Sequence, residues 1–186
     1  FAQSAAVVTL VGGNATVLTG ASLPHLALGA GAQVTLNNDF TVQGGLSGSG
    51  SATGTGTATF TGTSVVPLLG TPSLGCTCEI AKTGTGQVLL EGNLSVGQLV
   101  MTSGTFVVSY AGTYTMTVTG SATFAGGTLS TNPIGTLALN GAATFSGTIC
   151  TVAPVIRCAG TWAADANFAP VSGTVELDGA SPTSLI

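Results

Sequence analysis

With 186 residues, six acids against two basic side chains and a formal net charge of -4, the chain is charged at only 4% of its positions, where globular proteins average about a quarter. Lys82 and Arg157 cannot make a basic stripe, which excludes nucleic acid and anionic lipid as electrostatic partners. A mean hydropathy of +0.60 comes without the roughly 18 unbroken apolar residues of a spanning helix, and the alternating segments are too short for a membrane barrel.

High apolar content at low net charge argues against disorder, and the length suits one domain, residues 1–186. Phe1-Ala2-Gln3-Ser4 reads as the trimmed edge left by cleavage of a secretion signal. Short alternations of apolar and polar residues follow at 7–10, 15–18, 33–36, 40–42 and 57–60, each bounded by Gly, Asn or Ser, which predicts strands and turns and no amphipathic helix. His25 follows Pro24 with no acid beside it, so a surface or capping role is expected rather than catalysis. The glycine-dense stretch 44–56 lacks the Gly-Lys-Ser/Thr ending of a phosphate loop and reads as a run of corners.

The phrase Gly-x-Ala-Thr-Phe-x-Gly occurs at 56–62, 120–126 and 141–147, the last two copies about 21 residues apart, which is the period of a solenoid turn. Ala and Phe alternate with Thr there, so Phe60, Phe124 and Phe145 are expected to stack inward. A second echo joins Leu36-Asn-Asn-Asp-Phe-Thr-Val42 to Leu90-Glu-Gly-Asn-Leu-Ser-Val96 and is read as a further sign of duplication. The expected fold is all-β, a single right-handed parallel β-helix or β-solenoid of roughly nine turns and ~40 Å length; an antiparallel β-sandwich is the alternative.

Two segments break the pattern and are expected to project as loops, 67–85 with Cys76 and Cys78, and 150–160 with Cys150 and Cys158. The four cysteines are read as disulfide partners. Cys150 closes easily onto Cys158, Cys76 with Cys78 would make a strained ring, and cross-pairing or bonding to a neighbouring molecule stays open. A zinc site is disfavoured because the Cys-x-Cys gap is short and His25 is remote.

Further strands are expected at 87–90, 105–108, 114–118, 136–139 and 174–177. Thr113, Thr115, Thr117 and Thr119 share one strand face, an array that an ice-binding lattice would use and that strand propensity explains without one. Trp162 with Phe168 reads as an apolar lid over the last turn. Among the acids Asp39, Glu79, Glu91, Asp165, Glu176 and Asp178, only the last two are close, so no catalytic pair is expected and no cofactor or metal is called for. Asn14-Ala-Thr16 and Asn93-Leu-Ser95 match the glycosylation triplet, a common chance match in a Thr-rich chain.

The closing run from Gly160-Thr-Trp162 through Phe168 to Gly173-Thr-Val-Glu-Leu-Asp-Gly179 resembles the repeats of large secreted bacterial surface proteins of the β-strand-repeat, adhesin-like kind. The resemblance implies an exported, extracellular solenoid with adhesive or scaffolding duty and no catalytic residues. The first expectation is therefore a structural, non-enzymatic subunit of a head-to-tail surface fibre whose partner is another copy of itself. Val7, Val8, Leu10 and Val11 are its assembly candidates at one end, and Leu185 and Ile186 at the other. The alternative is an adhesin module that recognises surface glycans.

Overall fold

The computed structural model describes residues 7–11, 13–16, 20–132, 135–151, 154–168 and 173–179, which form strands joined by turns and bends, with no helix. Every strand pairing between them is parallel, which rules out a sandwich of hairpins and makes the chain a β-solenoid. Val8 pairs with Leu26, Leu26 with Leu46, and Leu46 with Leu68, so each strand lies beside the one a turn later. Hydrogen bonds between successive turns span 18 residues at Asp39 and 23 at Thr119.

Each turn carries strand segments on three faces. The first face is the eight-stranded sheet, running from Val8–Leu10 to Ile149–Cys150. The fifteen-stranded sheet wraps the other two, because Ser73–Ala81 and Leu94–Ser103 run through the bend between them. At that bend glycines stack on one another. A Cβ on Gly97 would fall 2.4 Å from the Gly75 carbonyl oxygen, and one on Gly141 2.4 Å from that of Gly120, so no other residue fits without moving backbone.

Inward positions align from turn to turn into columns that form one continuous core. On the third face Ala58, Cys78, Leu99, Ala122 and Ala143 make one column, and Phe60, Ile80, Met101, Phe124 and Phe145 the next. The three copies of the repeated phrase thus occupy equivalent places, and the rings of Phe124 and Phe145 stack 4.4 Å apart and 2° from parallel. Trp162 and Phe168 close over Phe145 at 4.6 and 4.4 Å, as a lid.

The longer echo has a different meaning from the duplication expected of it. Residues 36–42 turn the corner into the third face, whereas 90–96 turn the corner into the second. What they share is a device: the Asp39 and Asn93 carboxyl and amide oxygens accept the N–H of Thr57 at 2.8 Å and of Thr115 at 2.9 Å, each one turn further on. The echo encodes a corner, used in two places.

The described residues of both expected loops lie largely in strands of the solenoid rather than in projections. Pro67 lies in the strand Val65–Leu69, Ser73–Ala81 is a strand paired on both sides, and Val155–Cys158 is another. Their inward residues alternate in step with the turns above and below, so burial of Leu74, Cys76, Cys78 and Ile80 outweighs the loop-like composition. The stretch 44–56 likewise holds the strands Leu46–Gly48 and Ser51–Thr53 between its corners.

Candidate functional site

The four cysteines are free thiols, and the expected disulfides are absent from the structure. Three fill inward places in columns, Cys78 between Ala58 and Leu99, Cys150 beside Leu129 and Cys158 between Leu139 and Leu177, while Cys76 is buried at the register shift between Leu74 and Thr77. They serve as small apolar core residues, which is how unpaired cysteine packs. Burial raises their pKa values, that of Cys150 to about 11. Cys78 is pushed up by burial first and by Cys76 and Glu79 beside it, and burial raises Cys158 despite a backbone hydrogen bond at Gly160 that acts the other way. Thiols held protonated in this way are poor nucleophiles.

The acids do not converge. Glu79 accepts from the Thr59 hydroxyl at 3.0 Å, Asp165 from the Asn167 backbone N–H at 2.8 Å, and Glu176 is paired with Arg157 at 2.7 Å rather than with Asp178. No group of three or more metal-ligating side chains forms among the described residues. His25 Nε2 lies 2.8 Å from the Ser47 hydroxyl, and its burial lowers its pKa. Thr115 pairs with Thr136 in the next turn, but Thr119 donates to the Val96 carbonyl, and Thr117 is flanked in its column by Ser95 and Ala138, so of these the threonine lattice continues into the next turn only at Thr115.

The flanks are short of large exposed apolar groups, and the ends are not. Among the described residues only Val7, Val11, Tyr110, Val175 and Leu177 qualify. Val7 and Val11, 55% and 72% exposed, bracket the strand Val8–Leu10, whose own Val8 and Leu10 are half-buried and which stands first in its sheet. Val175 and Leu177, 38% and 37% exposed, prolong the core columns of Ile156 and Cys158 by one step, in the strand that stands last on its path. Leu185, Ile186 and Pro182 lie outside the described residues.

Tyr110 is the exception on the flank, and sequence reasoning missed it. It stands between Ser109 at φ 80° and Ala111 at φ 59°. Ser109 is fully buried; its hydroxyl donates to the Gly112 carbonyl and accepts the Tyr114 N–H, while the Ala111 N–H reaches the Asn132 carbonyl at 3.2 Å. Tyr114 packs against the core and over Gly112, so both tyrosines of the chain sit on this one corner. Beyond it the same edge of the solenoid carries an open groove of about 360 Å³ lined by Thr71, Ser73, Asn93, Ser95, Thr115 and Thr117 among others. The signal in the sequence is a short turn at 109–114 that holds both tyrosines of the chain.

No helix among the described residues is long and apolar enough to cross a membrane. Comparison with family models, curated proteins and solved structures finds no match to this chain.

Proposed function

We propose that the protein is a structural element: a non-enzymatic, extracellular rod that extends by stacking head to tail on further copies of itself. The observation that carries this reading is the placement of exposed apolar residues. Val7 and Val11 at one end and Val175 and Leu177 at the other stand in or beside strands that continue the core columns, while the flanks expose little besides Tyr110. A solenoid grows by adding turns, and an open first or last turn offers both unpaired backbone groups and uncovered column positions to the next one. A contact of one end with the opposite end does not close on itself and gives a filament.

The extracellular setting rests on the uncharged, Gly- and Thr-rich composition and on the resemblance of residues 160–179 to exported repeat proteins. The thiols do not bear on it, because each is buried from oxidants in the core. Negative-stain microscopy of the purified chain tests the reading. Regular fibres are expected from the native sequence, and dispersed, folded particles from a variant carrying Val8→Lys with Leu10→Lys or one lacking residues 1–11. A native chain that stays monomeric at high concentration, or a deletion that still polymerises, would overturn it.

A further inference from the structure

The corner at Tyr110 has no role in stacking, since it lies on the flank of the sixth of eight strands in its sheet. Among the described residues its backbone is also the one place where a residue other than glycine takes a positive φ. At twelve other described positions with positive φ the residue is glycine, which carries no steric penalty there. Only Ser109 and Ala111 depart from that rule, and they are the two neighbours of Tyr110. Ser109 is compensated by its two local hydrogen bonds; Ala111 brings a methyl and no polar group. Non-glycine residues persist in this region when the surroundings over-determine them, and such places cluster where a side chain must be presented in a fixed direction.

What is presented is a tyrosine, 41% exposed, on a surface otherwise poor in aromatics. The neighbouring strand ends in the Glu91 carboxylate, and the other polar groups named here are neutral hydrogen-bonding ones. Asn132 pairs with Tyr110 in the sheet and is exposed, Thr113 is exposed on the same turn, and the groove beyond is lined by hydroxyls and the Asn93 amide. None of the groove's lining residues is charged. An aromatic face beside uncharged amides and hydroxyls matches a sugar, whose C–H face stacks on the ring while its hydroxyls both donate and accept. An anionic ligand would find no cation here, since Lys82 is buried and Arg157 is engaged with Glu176.

We infer that the corner from Tyr110 to Thr117 is a binding site for a neutral oligosaccharide, with the sugar ring stacked on Tyr110 and the chain continuing along the hydroxyl-lined groove. The rod would then hold glycan from its side while its ends extend it, and the two activities are separable by mutation.

The test is to immobilise the intact chain on a biosensor surface and pass cellohexaose, xylohexaose and mannohexaose over it, with Tyr110→Ala, Tyr110→Phe and Val175→Lys variants alongside. Saturable binding of at least one of the three is expected. Tyr110→Ala should weaken it about tenfold or more, and Tyr110→Phe, which keeps the ring, by no more than about threefold. Val175→Lys should leave it unchanged, whatever it does to fibres. Thermal melting of Tyr110→Ala at the native temperature establishes that the variant is folded. No saturable binding of any of the three sugars, or equal binding by Tyr110→Ala, overturns the inference. So does protection of the Tyr110 ring from chemical modification on fibre formation without sugar, which would make the corner a contact between copies.

Discussion

The middle of the rod and its last turn place the same kinds of residue in the same columns and treat them oppositely. Leu139 and Cys158 are buried with at most 1% exposure, and Leu177, the next step of their column, is 37% exposed. Nothing in the side chain explains the difference; among the described residues no strand pairs with Thr174–Leu177 on its far side. On the third face the same problem is solved within the chain, because Trp162 and Phe168, 5.4 Å apart and nearly perpendicular, cover Phe145. Among the described residues the final turn is therefore lidded on one face and exposed on another, and burial in a solenoid is a property of neighbouring turns.

Truncating one residue on each side of that divide sharpens the comparison most. Phe145→Ala removes a ring packed between Phe124, Trp162 and Phe168 and should cost about 3–5 kcal/mol in chemical denaturation. Leu177→Ala, at a side chain 37% exposed, should cost less than about 1 kcal/mol in the unassembled chain. Equal losses at the two positions would show that the last turn is as well packed as those before it, and the argument from open columns would fall.

The repeated Ala-Thr-Phe phrase made the architecture legible, because column stacking imposes chemistry at a fixed period: Phe124 and Phe145 meet, and Phe60 shares their column with Ile80 and Met101 between. The strand Ser73–Ala81 was not legible, for local reasons. Pro67, Pro72, Glu79, Lys82 and two cysteines suggest a loop, and proline within a strand argues against a central one. Register with the turns on either side overrides composition there, and a single turn read alone does not reveal it. The cysteines misled in the same way, since spacing alone does not distinguish a thiol in a column from one in a bridge. Of the assembly candidates, the alternating run at 7–11 was visible as pattern, whereas Val175 and Leu177 became notable only once their columns could be followed to the edge. The Tyr110 corner left almost no trace, because strain is written in φ and not in residue type.

Lys82 takes the comparison to its limit, since mid-rod packing covers even a lysine. It lies at the corner from the third face to the first, against Gly86 and Gly104, and its ammonium donates to the Thr61 carbonyl. Desolvation lowers its pKa below the ordinary lysine value. In the window between the lowered folded pKa and the unfolded one the unfolded chain binds more protons, so stability rises with pH there. Lys82→Met keeps most of the buried stem and removes the charge. Melting temperatures of the two proteins from pH 7 to about 10.5 should therefore shift in favour of the native sequence as pH rises. Parallel curves would mean that the amine is as well solvated in the fold as outside it.

The smallest effect expected is also the one with an unusual sign. Left-handed backbone costs an L-residue roughly 1–2 kcal/mol, and Ala111 has no polar atom with which to offset it. Glycine at this place removes the clash and gives back about 0.4–1 kcal/mol through the greater freedom of the unfolded chain. Ala111→Gly should thus stabilise the protein by about 1 kcal/mol or less, measured as a shift of denaturation midpoint without change of slope. An ordinary corner would simply improve. If the corner exists to hold Tyr110 in one direction, the same substitution should weaken sugar binding while raising stability, because glycine frees the turn that alanine restrains. A gain in both would assign Ala111 to an unremarkable turn, whereas opposite signs separate the demands of folding from those of the site.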